Sequence, residues 1–135
     1  MKIHPAKIQV RYVDLDVLGH VNNSVYFSYF EMARVQYFGQ VLGKEWDWET
    51  NGVILVKNWA EYIKPVFLGD QPEITIYVDK IGSKSFDLSY ELKVNNVLCT
   101  TGGSTMVAFD AKANKTIEIP EEMRKFLEQL KRNDF

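Results

Sequence analysis

Hydrophobic positions change their spacing twice along this chain, and the changes divide it into strand, helix and strand again. Residues 7–12, KIQVRY, alternate polar and apolar, the pattern of a half-buried strand. A polar bend covers 13–23. From Ser24 to about Leu42 the spacing becomes helical, with Tyr26, Tyr29, Phe30, Ala33 and Tyr37 recurring three and four apart. Val25, Met32, Val35 and Phe38 make the remaining faces apolar as well, which predicts a helix buried nearly all round. Gly39 or Gly43 is its expected stop. Strand-forming segments then follow one another. GVILVKNWAEYIKPV is rich in β-formers, and PEITIYVDKI alternates between the turns GDQP and GSKS. FDLSYELKV alternates and turns at Asn95 and Asn96, while VLCTTGGSTMVAFD and KTIEI close the series. An amphipathic helix is expected after Pro120, with Glu121 and Glu122 in its first turn, where acids suit the helix dipole. Strand, long buried helix, about four to five antiparallel strands and a short helix make an α+β fold, its sheet wrapped around the helix.

Length and composition narrow the picture. The 135 residues suit one domain, expected to span 1–135, with no repeat or linker. A net charge of −2 argues against nucleic acid or an anionic membrane as the main partner. The single cysteine, Cys99, excludes an internal disulfide and a thiolate zinc cluster. No stretch approaches the roughly 20 apolar residues that span a bilayer, and a cytoplasmic protein is expected.

The informative stretch is residues 12–34, YVDLDVLGHVNNSVYFSYFEMAR, which crowds acids, a histidine and two asparagines before the apolar helix. Tyr12, Asp14, Asp16, Gly19, His20, Val21, Asn22, Asn23, Tyr26, Tyr29, Glu31 and Arg34 together resemble the opening signature of the hotdog-fold thioesterases, most closely the 4-hydroxybenzoyl-CoA thioesterase-like group. The run DLDVLGHVNN is also similar to the acyl-carrier-protein thioesterases. YIKPVFLGD, GSKSF and MVAFDAKANKTIEIP extend the resemblance over roughly residues 8–130. It implies a hotdog fold, an antiparallel sheet wrapped around one central helix. It also implies hydrolysis of an acyl-CoA without a cofactor or metal, in a homodimer or homotetramer whose sites lie between protomers.

Thioester hydrolysis needs a carboxylate to attack or to activate water, and donors for the developing oxyanion. Unpaired amides at a helix start meet the second need. The resemblance assigns the carboxylate to Asp16, the second acid of the D-x-D, as nucleophile or general base; as a residue alone, Asp16 also reads as an Asx-turn cap. Asp14 reads as structural, bonding the loop backbone or pairing with Arg11 or Arg34. It could also couple to Asp16, two residues away. A metal held by Asp14, Asp16 and His20 would be a poor donor set. His20 could bond the substrate carbonyl, hold Asp16, or simply pack on the helix. Asn22 and Asn23 suit N-capping, with one left to orient water or the thioester; several relatives carry histidine where this chain has Asn23. Glu31 and Arg34, three apart, are expected to pair.

Lys57, Lys64, Lys80 and Lys84 are candidates for the CoA phosphates, each equally readable as a solvated lysine. Tyr26, Tyr29, Phe30 and Trp59 read as core, with one or two available to an acyl pocket. The paired glycines of TTGGST suggest a bulge or a close backbone approach. Beside acyl-CoA hydrolysis, two functions stay open: an acyl-carrier-protein thioesterase, and a non-catalytic acyl-CoA binding protein on the same fold.

Overall fold

The computed structural model describes residues 2–132. In chain order the elements are β1 (Ala6–Lys7), a 3-10 turn (Tyr12–Asp14), α1 (Val25–Val41), β2 (Gly52–Tyr62), β3 (Glu73–Ile81), β4 (Ser85–Val94), β5 (Val97–Asp110), β6 (Lys115–Thr116) and α2 (Glu121–Gln129). The strands form one sheet in the order β1-β3-β4-β5-β2, with β6 added on β5. β1 runs antiparallel to β3, pairing Ala6 with Ile74, and β6 antiparallel to β5, pairing Thr116 with Phe109.

The turns follow from local chemistry. Asn95 and Asn96 take φ of 51° and 64°, the left-handed pair that a two-residue hairpin between β4 and β5 demands. Between β3 and β4, the Gly82 amide closes the turn on the Ser85 carbonyl at 2.7 Å. The Gly69 turn is fixed by Asp70, whose carboxylate accepts from the Phe67 amide at 2.9 Å. α1 runs through Gly39 and ends before Gly43, whose φ of +75° provides the left-handed stop.

Contacts cluster into two units. The first comprises residues 2–37, 60–76 and 90–102. Its core holds Tyr26, Tyr29, Phe30, Ala33 and Tyr37 of α1 with Val66, Ile74, Ile76, Tyr90 and Leu92. Phe30 stacks on Tyr90, centroids 4.3 Å apart and planes 11° off parallel. The Tyr37 hydroxyl accepts from the Ile76 amide at 3.1 Å. The second comprises 38–59, 77–89 and 103–132. There α2 buries Met123, Phe126 and Leu127, and Phe126 meets Phe38 at 5.1 Å. In this unit a Cβ at Gly103 would run into the Trp59 indole, so the group that comes closest is a side chain and not the backbone that the glycines led us to expect.

Three expectations change. Residues 6–11 keep the alternating burial of a strand, but only Ala6 and Lys7 enter the ladder before the chain turns into the 3-10 helix. α1 is not covered all round: Ser28, Glu31, Met32, Val35 and Gln36 are exposed, Val35 to 67%. Arg34 does not pair with Glu31, which stays in solvent. Arg34 turns inward and donates to the Tyr90 hydroxyl at 2.9 Å. No helix among the described residues is long and apolar enough to cross a membrane.

Candidate functional site

The segment DVLGH folds as a tight hairpin. The Asp16 amide donates to the His20 carbonyl at 2.7 Å, the Gly19 amide returns to the Asp16 carbonyl at 3.1 Å, and Leu15 bridges Val21. A turn over Val17 and Leu18 followed by a left-handed residue is the three-residue hairpin with a bulge, and Gly19 at φ +82° fills the position a side chain would strain. Asp16 opens this turn. Its Oδ1 accepts from the Leu18 amide at 2.9 Å and the His20 amide at 3.2 Å. Among the described residues no hydrogen bond engages Oδ2, and the side chain is half-buried. The Asx-turn reading of Asp16 therefore holds for one carboxyl oxygen and leaves the other uncommitted.

The His20 amide is held by the Asp16 carboxylate, while its ring is placed by an aromatic contact. The ring meets Phe67 edge-on, centroids 5.1 Å apart at 85°, and the backbones of the two residues pair as an antiparallel bridge. The next residue, Val21, donates to the Val66 carbonyl at 2.8 Å, fastening the turn to the loop after β2.

Asn22 organises the helix entrance. Its Oδ1 accepts from the amide and hydroxyl of Ser24 at 3.1 and 3.0 Å, and its carbonyl accepts from the Val25 amide at 2.9 Å. An α-helix beginning at Val25 leaves four amides without intrahelical acceptors. Asn22 satisfies those of Ser24 and Val25, and among the described residues no acceptor outside the helix engages the Tyr26 and Phe27 amides, the two that remain at its positive end. Asn23 is exposed and contributes its carbonyl, which accepts from the Tyr62 hydroxyl at 2.7 Å. Capping thus falls to Asn22, and no hydrogen bond engages the Asn23 side chain among the described residues.

Asp14 is the buried acid of the cluster, 2% exposed. Its Oδ2 accepts from the Arg11 amide at 2.9 Å and the Tyr29 hydroxyl at 2.7 Å, and its Oδ1 from the Arg11 guanidinium at 3.0 Å. Burial by itself would raise its pKa. The bonds from the Arg11 amide, the Tyr29 hydroxyl and the Arg11 guanidinium outweigh burial and hold the carboxyl below its ordinary range. Asp14 therefore pairs with Arg11, as one sequence reading had it. Its shift is downward, opposite to that of an acid raised by a like-charged neighbour. Burial and then the Asp14 bond push the Tyr29 phenol far above its ordinary value.

The Tyr29 partnership was not visible in the sequence, where Tyr29 fell on an apolar helical stripe. The signal available was the acid itself, because a carboxylate beside a core helix must find donors. Lys57, Lys64, Lys80 and Lys84 are all exposed. Lys64 lies in the same contact unit as Asp16; Lys57, Lys80 and Lys84 lie in the other. No group of three or more His, Cys, Asp or Glu among the described residues is arranged to hold a metal.

A hairpin acid before a capped helix entrance can be set beside known proteins. The chain is 31% identical to the long-chain acyl-CoA thioesterase FadM of Escherichia coli, over 92% of this chain and 96% of that protein. It is 28% identical to the 1,4-dihydroxy-2-naphthoyl-CoA hydrolase of Nostoc punctiforme, over 83% and 88%. A solved thioesterase of Thermus thermophilus, described as complexed with coenzyme A and Zn, superposes with a TM-score of 0.81 at 27% identity, covering 97% of this chain and 96% of that one. The expected hotdog architecture is the one these folds share. A family model described as the thioesterase-like superfamily matches residues 10–127, from just after β1 into α2, and the chain belongs to that superfamily.

Proposed function

We propose that this thioester hydrolase cleaves an acyl-CoA to the free acid and CoA, with Asp16 as its catalytic carboxylate. One observation carries the reading. The Asp16 turn uses a single carboxyl oxygen and leaves the other without a donor among the described residues, in the hairpin that leads directly to the capped start of α1. A carboxylate needed only for the turn requires one oxygen; attack on a carbonyl, or removal of a proton from water, requires a second. The Tyr26 and Phe27 amides supply an oxyanion site of the kind a helix N-terminus offers. Asn22 keeps that end open by bonding only the two amides before it. In the reaction, the hydroxyl of water adds to the acyl carbon and the C–S bond breaks. The thiolate leaves as CoA after taking up a proton. Water is the sole co-reactant.

His20 and Asn23 flank this turn and belong to the proposed site as groups that meet the thioester or its water. Lys57, Lys64 and Lys84 are proposed to meet the CoA phosphates once protomers assemble. Assembly is supported by the sheet order. β2 ends the sheet, and Ile54, Leu55 and Val56 expose 39, 44 and 55% of their surface there, more than a lone edge strand tolerates. Around the acid, Tyr12, Val13, Val17 and Leu18 are exposed by 73% or more. We therefore propose a homodimer or a homotetramer that covers these residues and completes the acyl pocket.

A second reading rests on the same Asx turn. If the turn accounts for all that Asp16 does, either another group carries the hydrolysis or the chain binds acyl-CoA without cleaving it. An acyl-CoA panel spanning long-chain and bicyclic aromatic acyl groups, followed by thiol release, separates the two. Turnover that falls at least about a hundredfold in Asp16→Asn supports hydrolysis at this acid. Unchanged turnover in that variant rejects the assignment, and saturable binding without thiol release leaves the binding protein. The same acyl group offered on CoA and on a carrier protein decides which carrier is used.

A further inference from the structure

We infer that Asp14 and Tyr29 are positioning residues for this reaction: the buried bond between them holds the Asp16 hairpin in register with the first turns of α1. The inference rests on Asp16 being the catalytic acid. Asp14 is where three pieces of chain meet. Its amide donates to the Arg11 carbonyl at 2.9 Å and its carbonyl accepts from the Asn22 amide at 2.8 Å, so it bonds the segment entering the hairpin and the residue leaving it. Its side chain adds the helix, through the Tyr29 hydroxyl at 2.7 Å. Between Asp14 and Asn22 lies only the turn that carries Asp16 and His20, closed by the Leu15–Val21 bridge. Tyr29 stands four residues beyond Val25, about one turn into α1, below the free amides of Tyr26 and Phe27.

Packing does not require the hydroxyl. Tyr29 is fully buried, and phenylalanine would fill nearly the same volume. The hydroxyl's use is to donate to a carboxylate that is itself cut off from water. Removing it strips Asp14 of the donor that comes from the helix, while the Arg11 bonds remain. Asp14 and the turn behind it are then free to shift relative to α1, carrying Asp16 away from the carbonyl it must reach. A displacement of about 1 Å at reacting atoms costs as much as a hundredfold in rate.

The test compares Tyr29→Phe, Asp14→Asn and the double variant with the wild type, on whichever acyl-CoA the wild type turns over fastest. Thermal unfolding is followed on the same samples. The expected result is a kcat lowered about 10- to 100-fold with KM within about twofold, because the lost interaction acts on the chemical step rather than on binding. The double variant is expected to be no slower than the slower single one, since both remove one interaction. A purely structural role predicts a lower melting temperature with kcat per folded protein unchanged, and that result overturns the inference. Should Tyr29→Phe not fold, Asp14→Asn gives the same reading. Asp16→Asn serves as the control. If it keeps wild-type turnover, the site assignment fails and this inference with it. If it is inactive while Tyr29→Phe keeps wild-type kcat, only the positioning role fails.

Discussion

The hydroxyl of Tyr62, at the end of β2, donates a 2.7 Å hydrogen bond to the carbonyl of Asn23, two residues before α1 begins. The bond ties the last residue of an edge strand to the entrance of the helix. The Tyr62 ring also meets Tyr26 edge-on at 5.0 Å, so its orientation is set from two sides. Tyr62→Phe keeps the ring contact and loses the bond. The expected cost is about 0.5–1 kcal/mol, the low end for a hydrogen bond because the pair is exposed. Chemical denaturation measures it, and a cost above about 2 kcal/mol would mean that Tyr62 holds more than this carbonyl.

Acid should unfold the protein partly through Asp14. Its carboxyl ionises more readily in the folded chain than its ordinary value of 3.8 allows. Its contribution is therefore complete above that value and is lost as pH falls through the lower folded one. Between about pH 5 and pH 2.5 the wild-type melting temperature is expected to fall more steeply than that of Asp14→Asn. Tyr29→Phe removes one of the bonds that lower the pKa, so its curve should lie between the two. Parallel curves for all three would show that Asp14 is not the group being titrated.

Gly103 is expected to resist enlargement. A Cβ there would collide with the Trp59 indole and lie 3.0 Å from the Leu88 carbonyl oxygen. Gly103→Ala should cost about 1–3 kcal/mol, as overpacking does. Because Trp59 is 41% exposed, the indole can be removed without opening the core. In a Trp59→Ala background the cost at Gly103 should drop by more than half, as read by urea unfolding; equal costs would place the strain at the backbone.

At the β4–β5 hairpin, Asn96 holds φ at 64°. A β-branched residue there meets its own carbonyl, so Asn96→Val is expected to destabilise by about 1–2 kcal/mol. Asn96→Gly should be neutral or slightly stabilising, since Asn-Gly suits this turn. Thermal melts of the pair give the comparison, and equal stability of the two variants would contradict the assigned turn.

Much of this architecture is written locally. Alternation in β3 and β4, the two asparagines after β4 and Pro120 before α2 were legible because strand periodicity and turn chemistry depend on neighbours in sequence. The candidate cluster at 14–23 was legible for the same reason, since acids and asparagines beside an apolar helix must cap something. The length of β1 was not. A strand pairs only as far as its partner runs alongside, and β3 meets it over two residues. Nor could an apolar pattern on every face of α1 say which face is covered; the fold buries Phe30 against Tyr90 and leaves Val35 in solvent. Side-chain partners far apart in sequence were likewise decided in three dimensions. Arg34 reaches Tyr90 instead of Glu31, His20 leans on Phe67, and Asp14 finds its donor fifteen residues later in Tyr29. Residue types announced that polar groups needed partners, and only the packing of distant segments determined who those partners are, because a buried donor or acceptor takes whichever group the fold brings within about 3 Å.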